Sequence, residues 1–159
     1  MSIRRAEQRD IPDILNLLVQ VCMVHHNGRP DLFKGPATKF TAEELAAMIP
    51  DDSRPIFVLT DEGDTRVLGH AFCEISERAE NHVLTGIRTL HIHDLCVEEK
   101  CRGQQIGTQL YRYVLDFARA RDCYNVTLNV WACNPGAMRF YEQMGMQVQK
   151  LGMETLLES

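Results

Sequence analysis

The segment that decides the fold runs Leu95-Cys96-Val97-Glu98-Glu99-Lys100-Cys101-Arg102-Gly103-Gln104-Gln105-Ile106-Gly107-Thr108. It starts as the end of a β-forming run, residues 88–97. It finishes in a helix whose apolar positions Ile106, Leu110, Tyr113, Val114, Phe117 and Ala118 recur at three and four residues. A loop that feeds a helix N-terminus turns free backbone N–H groups outward, and the helix dipole adds positive potential at the same point. Gly103 and Gly107 allow a bulky anion to come close to the backbone. A pyrophosphate suits such a cradle. Two glycines alone equally describe a simple change of direction, so the order of the surrounding elements has to decide.

Upstream, residues 2–6 read as a short strand. Asp10 then offers an N-cap, with Pro12 and Asp13 in the first turn of a helix. Ile11, Ile14, Leu15, Leu18, Val21 and Cys22 place one apolar face on that helix. Residues 27–40 contain Gly28, Pro30, Gly35 and Pro36 and form a long loop, after which Thr41 and Glu44 make a capping box for a short helix through Met48. Residues 55–60, 66–75 and 88–97 are three strands, expected to be antiparallel, the first two joined by a hairpin turn at Asp61-Glu62-Gly63-Asp64. Downstream, residues 124–130 alternate as a strand, with Val126, Leu128 and Val130 on one face. Asn134 caps a last helix with Pro135 at its first position and Gly145 past its end, and residues 146–157 are a final strand region.

Composition bounds the function. The chain has 159 residues, the size of one ordinary domain, and a formal net charge of −5 without a run of five like charges. The basic footprint of a nucleic-acid partner is therefore missing. No stretch reaches eighteen apolar residues and no hydrophobic run follows Arg4 and Arg5, so neither a membrane span nor a signal peptide is expected, and the expected location is cytoplasmic. Six cysteines lie scattered without zinc or redox spacing, and reduced thiols and no metal site are expected.

The loop bearing Arg102, Gln105 and Gly107, with the segment Asn134-Pro135-Gly136-Ala137-Met138-Arg139-Phe140-Tyr141-Glu142-Gln143-Met144-Gly145-Met146, resembles the GNAT superfamily of N-acetyltransferases. The order of elements matches over nearly the whole chain. Gln105 departs from the family pattern, standing where a glycine usually falls, and is tolerated if its backbone stays in the ordinary helical region. The resemblance implies an α/β fold: a GNAT-like mixed, mostly antiparallel twisted sheet of six to seven strands flanked by about four helices, in a single domain spanning residues 1–159. It also implies acetyl-CoA as the acyl donor and CoA as product. The pantetheine arm would lie against Leu95, Cys96 and Val97 where two central strands splay, its amides pairing with free strand-edge groups. The diphosphate would rest on Arg102, Gly103, Gln104, Gln105, Ile106, Gly107 and Thr108, and Asn134, Ala137 and Tyr141 would form the other wall.

Tyr141 shares a helical stripe with Ala137, Phe140 and Met144, which by spacing alone describes a core aromatic. The resemblance makes it the general acid that protonates the departing thiolate. For the general base the order of preference is His93, then His91, because imidazole titrates near neutrality, while Asp94 and Glu74 would need burial to raise their pKa. Alternation puts His91 and His93 on one face of the strand and Asp94 on the other. The alternative is that both histidines are ordinary polar residues of the sheet. Cys96 and Cys133 read as packing residues, since direct attack by the amine needs no acyl-enzyme.

The implied activity is transfer of an acetyl group from acetyl-CoA to a primary amine, with a small-molecule acceptor preferred. A protein N-terminal or lysine acetyltransferase and a non-catalytic acyl-CoA-binding module stay open, as does a homodimer. Residues 27–40 are expected to form a lid over the acceptor, with Arg29, Asp31, Lys34 and Lys39 selecting a charged one. The alternative is that Leu32, Phe33 and Phe40 simply anchor the loop.

Overall fold

The computed structural model describes residues 1–157. Five strands form one sheet in sequence order: β1 (Ser2–Arg5), β2 (Ile56–Thr60), β3 (Val67–Arg78), β4 (Ile87–Val97) and β5 (Asn125–Leu128). The first four pair antiparallel, whereas β5 runs parallel to β4 because a helix crosses between them. The helices are α1 (Ile11–Gly28), α2 (Ala42–Met48), α3 (Ile106–Ala120) and α4 (Pro135–Gln143), with short 3-10 turns at Gln8–Asp10 and Glu99–Cys101.

Period-two alternation divides the core between the two faces of the sheet. On one face Ile56, Val58, Phe72 and Cys96 pack beneath Ile14, Leu17 and Leu18 of α1 and Leu45 and Met48 of α2. On the other, Phe57, Leu59, Ala71, Cys73, Leu90 and Ile92 pack beneath Ile106, Leu110, Val114 and Ala118 of α3. Gly69 fixes how close α3 comes. A Cβ there would stand 2.9 Å from Leu110 and 3.0 Å from Ile106, so only glycine lets α3 sit directly on β3.

Two sequence expectations change. The sheet has five strands, not six to seven, because residues 146–157 form none. A strand exists through its partners. Among the described residues, 147–157 make no backbone hydrogen bond to another segment, and Leu151, Met153 and Leu157 are 77%, 93% and 92% exposed. Asp10 precedes α1 as expected but makes no cap with its side chain. Its carboxylate accepts two hydrogen bonds from Arg4, at 2.7 and 2.9 Å, and one from the amide of Glu7 at 2.7 Å, which ties β1 to the start of α1. The capping box at Thr41 and Glu44 is complete, with both reciprocal bonds present.

His70 on β3 was not singled out by any pattern, yet it is fully buried with neither ring nitrogen hydrogen-bonded among the described residues. Its ring lies 4.8 Å from Phe72, and burial pushes its pKa down to about 3. The folded protein therefore leaves His70 neutral at pH values where the unfolded chain protonates it. A lowered histidine pKa means that stability is lost as pH falls from about 6.5 toward 3, at up to about 1.4 kcal/mol per pH unit. His70→Leu should reduce the slope of Tm against pH between pH 7 and pH 5, where carboxylates of ordinary pKa scarcely titrate. An unchanged slope in a folded variant would show that His70 is not the buried titrating group.

Candidate active site

β4 and β5 stay together for only four residue pairs, Thr89 with Asn125 through Ile92 with Leu128. Beyond Ile92, β4 continues to Val97 and remains paired on its other side with β3 as far as Gly69. Leu95, Cys96 and Val97 thus have one edge with no strand beside it, and residues 129–134 lead away from that edge toward α4. The two central strands open into a wedge.

A bulge in β4 sets the chemistry of the wedge. Phe72 pairs with Asp94 and Cys73 with Ile92, so His93 is an extra residue without a partner on β3. The expected separation of faces therefore fails. Asp94 shares the α1 and α2 side of the sheet with Phe72, and His91, paired with Glu74, is on that side too, opposite Ile92 and α3. His91, His93, Glu74 and Asp94 are gathered on one face. The rings of His91 and His93 are 4.7 Å apart, His93 is 3.1 Å from a Glu74 carboxylate oxygen, and His91 Nδ1 is 2.8 Å from the Thr127 hydroxyl.

Asp94 has an environment unlike that of the histidines. Burial raises its carboxyl above the ordinary range, against the pull of Lys39, whose Nζ stands 3.4 Å from Oδ2. Burial lowers the pKa of His91, helped by the charge of His93. Sequence reasoning ranked Asp94 behind the histidines and gave Lys39 no place beside it, since neither the bulge nor the path of the loop is written in residue spacing.

The N-terminus of α3 faces the mouth of the wedge's other side. No side chain caps it, and the first amide to find a helical carbonyl is that of Gln109, bonded to Gln105 O at 3.0 Å. Ile106, Gly107 and Thr108 keep first-turn N–H groups free of the helix ladder. A Cβ at Gly107 would stand 3.3 Å from Phe140 of α4 and 3.5 Å from Val97, so the glycine also lets α4 close on β4. Gly103 turns with φ +90. Gln105 does not keep the helical backbone expected of it. Its φ of 59 and ψ of 25 lie in the left-handed region, the conformation that a glycine adopts without strain.

α4 forms the second wall. Asn134 caps it by accepting from the amide of Ala137 at 3.2 Å. Tyr141 has its ring 5.1 Å from Phe140 and 6.2 Å from Tyr111. Burial pushes its phenol well above the usual value, and the neighbouring Cys96, Asp94 and Tyr111 add to the shift. Tyr141 and Asp94 therefore share one electrostatic environment at the place where the strands part. Cys96 is buried with its thiol pushed up, unsuited to nucleophilic work.

The loop between α1 and α2 is held down. Phe40 stacks on Phe72 at 5.6 Å, Phe33 meets Trp131 edge-on at 4.9 Å and His25 at 5.0 Å, and the ring of His26 donates to the carbonyl of Phe33 at 2.8 Å. Arg29 is engaged by Asp31 and Glu154, so Lys39 is the loop cation placed at the wedge.

The sequence profile of the acetyltransferase (GNAT) family matches residues 24–146. The chain belongs to the GNAT acetyltransferase family. Among its GNAT relatives, glucosamine 6-phosphate N-acetyltransferase 1 of Oryza sativa subsp. japonica is 29% identical over 111 residues, 70% of this chain and 62% of that protein. Glucosamine 6-phosphate N-acetyltransferase of Arabidopsis thaliana is 32% identical over 63 residues, 40% of each. The match thus spans less than two thirds of those relatives' own length. The crystal structure of a tetramutant of the BH1408 protein from Bacillus halodurans superimposes with a TM-score of 0.94 at 27% identity, covering 99% of this chain and 100% of that one. That of the Arabidopsis thaliana glucosamine-6-phosphate N-acetyltransferase gives 0.70 at 21%, covering 99% and 98%, which is a likeness of fold.

The strained residue of this GNAT chain yields a direct test. Gln105→Gly should stabilise the protein by about 1 kcal/mol, because the left-handed conformation costs a residue with a Cβ roughly that much. At this chain length the melting temperature should rise by about 2–4 °C. A fall in Tm would mean that the Gln105 side chain contributes more than its backbone costs.

Proposed function

We propose that this protein transfers the acetyl group of acetyl-CoA to the primary amine of a small molecule by direct attack. The observation that carries the proposal is the parting of β4 from β5 beside an uncapped α3 N-terminus: one wedge offers a free strand edge and a set of free amides. The residues fit the donor. First-turn amides of α3, reached through Arg102, Gly103, Gln104 and Gln105, would hold the diphosphate, since they are donors without acceptors at the positive end of a helix. Leu95, Cys96 and Val97 would pair with the arm's amides through their open edge, and Asn134, Ala137 and Tyr141 would line its other side. When bound, acetyl-CoA supplies an acetyl group already activated as a thioester.

The chain's own residues then manage protons. Tyr141 is proposed as the acid, holding its proton firmly because its phenol is buried, and releasing it to the thiolate that leaves. The geometry supports Asp94 as base better than His93 or His91. It combines burial, a raised pKa and nearness to Tyr141, whereas His93 sits at the half-exposed surface bonded to Glu74. Lys39 beside Asp94 would keep part of the carboxylate ionised. His91 and His93 remain with Glu74 and Thr127 along the acceptor side. The named activity of the plant relatives, on a phosphorylated amino sugar, favours a small amine over a protein as acceptor. Six unpaired cysteines suit a cytoplasmic setting.

Three outcomes are expected. Gly107→Asp, which adds like charge at the diphosphate and crowds Phe140, should weaken acetyl-CoA binding at least tenfold by calorimetry while circular dichroism shows a folded chain; unchanged affinity removes the loop from the site. Tyr141→Phe should lower kcat by about a hundredfold and leave cofactor affinity nearly unchanged. Equal turnover would reduce Tyr141 to a packing residue. A base with a raised pKa works only when ionised, so kcat/KM should fall as pH drops through a value above the ordinary carboxylate range. Asp94→Asn should abolish that acid limb together with most activity, and a retained limb would return the base to His93 or His91.

A further inference from the structure

The rim of the wedge on the α1 side is built from rings. Residues 129–134 lead away from the free edge of β4 toward α4, and Trp131 stands among them, 49% exposed. Phe33, in the loop after α1, meets the indole edge-on at 4.9 Å, and His25 of α1 lies 5.0 Å from Phe33 and 6.5 Å from Trp131. The close approach of α1 gathers them. A Cβ at Gly28 would stand 2.7 Å from Cys133, so glycine there lets the end of α1 sit against the segment that carries Trp131.

The cluster adjoins the proposed base. The charges of Asp94 and Lys39 both act on the His25 ring, and burial lowers the pKa of His25, which keeps that ring uncharged near neutral pH. Two cations of the loop are already engaged: Arg29 pairs with Asp31 and Glu154, and Lys39 with Asp94. A phosphate drawn to either would have to compete with those carboxylates. A flat ring needs only the open part of Trp131, a large apolar surface that a covering ring removes from water. Rings also attract one another edge to face or offset, beyond what their buried area accounts for, and an alkyl chain of similar size lacks that attraction.

We propose that Trp131 and Phe33 select the acceptor, and that the acceptor is a primary amine carried on a short alkyl arm of an aromatic ring. The proposal rests on the acetyl transfer set out above and names the substrate class of that same site. The acceptor's ring covers the open part of Trp131 beside Phe33, and its arm carries the amine toward Asp94. There the amine nitrogen forms a bond to the thioester carbonyl carbon and the carbon–sulfur bond breaks. The proton lost by the nitrogen passes to Asp94, and the departing thiolate takes that of Tyr141.

Trp131 is the one tryptophan of the chain, so its fluorescence reports the site without turnover. Phenethylamine added to the full chain in the presence of CoA should shift that emission to shorter wavelength, saturably, as the ring displaces water from the indole. Hexylamine should bind about threefold more weakly, the measure of a ring–ring contact. In steady-state assays kcat/KM for phenethylamine should exceed that for glucosamine 6-phosphate and for putrescine by about tenfold. Trp131→Ala should raise the KM for phenethylamine about tenfold and leave kcat and the KM for acetyl-CoA nearly unchanged, and Trp131→Phe should restore most of the loss. A general loosening of the fold would not give that split, and if Trp131→Ala fails to fold the titration of the unaltered chain decides. The two readings fail separately. A saturable shift in a chain that acetylates no amine upholds the acceptor class and overturns the transfer. Turnover that favours glucosamine 6-phosphate or putrescine upholds the transfer and overturns the acceptor class, as does an emission that phenethylamine leaves unmoved or equal binding of hexylamine.

Discussion

The proposed site depends on β5 following β4 for four residues and then leaving it. A sheet ordinarily consumes the hydrogen-bonding capacity of its central strands. Here the capacity of β4 beyond Ile92 is spent on one side only, and the unused side is walled by α4 and overlooked by the start of α3. The parting is held from the α3 side of the sheet. α3 is drawn down on β3 through Gly69, and α4 is drawn against β4 through Gly107, each a point where a Cβ would meet a neighbouring side chain at 2.9 to 3.3 Å. These glycines act by permitting close approach, which is why their effect reaches beyond the loop that contains one of them.

The same parting organises charge. The α3 N-terminus contributes donors without acceptors, Asp94 a carboxyl whose ionisation burial opposes, and Tyr141 a phenol whose ionisation is opposed by the same surroundings. Each group is costly in isolation and complementary to the two substrates proposed, a donor with a diphosphate and a thioester and an acceptor with an amine. His70, on the α1 and α2 side of β3, belongs to a different category. It is a buried polar ring with neither nitrogen hydrogen-bonded among the described residues, and its consequence is a dependence of stability on pH.

Periodicity revealed most of the fold. The three-and-four spacing of α1 and α3, the complete capping box at Thr41, and the β-forming residues of β2 and β3 each report a local interaction that residue type alone determines. What stayed hidden is set by more distant constraints. The bulge at His93 brought Asp94 round to the side of His91, and no alternation pattern can announce the residue at which it is interrupted. Gln105 adopts the backbone of the glycine it replaces because the loop geometry prevails over the preference of its side chain. Residues 146–157 have the composition of a strand, but strand formation needs a neighbour, and none within the described chain meets them. Lys39 reached Asp94 only because Phe40 stacks on Phe72, a contact between segments far apart in sequence.

The central claim is that the wedge between β4 and β5, with the α3 N-terminus at its mouth, is where acyl-CoA is held. Amide hydrogen exchange with and without saturating CoA tests it most directly, because the ligand is expected to bond to the very N–H groups that the fold leaves free. Exchange should slow at residues 95–97 and 104–108 and stay unchanged in β1 and β2. Saturable binding that leaves both of those segments unprotected, or protects residues elsewhere in their place, would contradict the account.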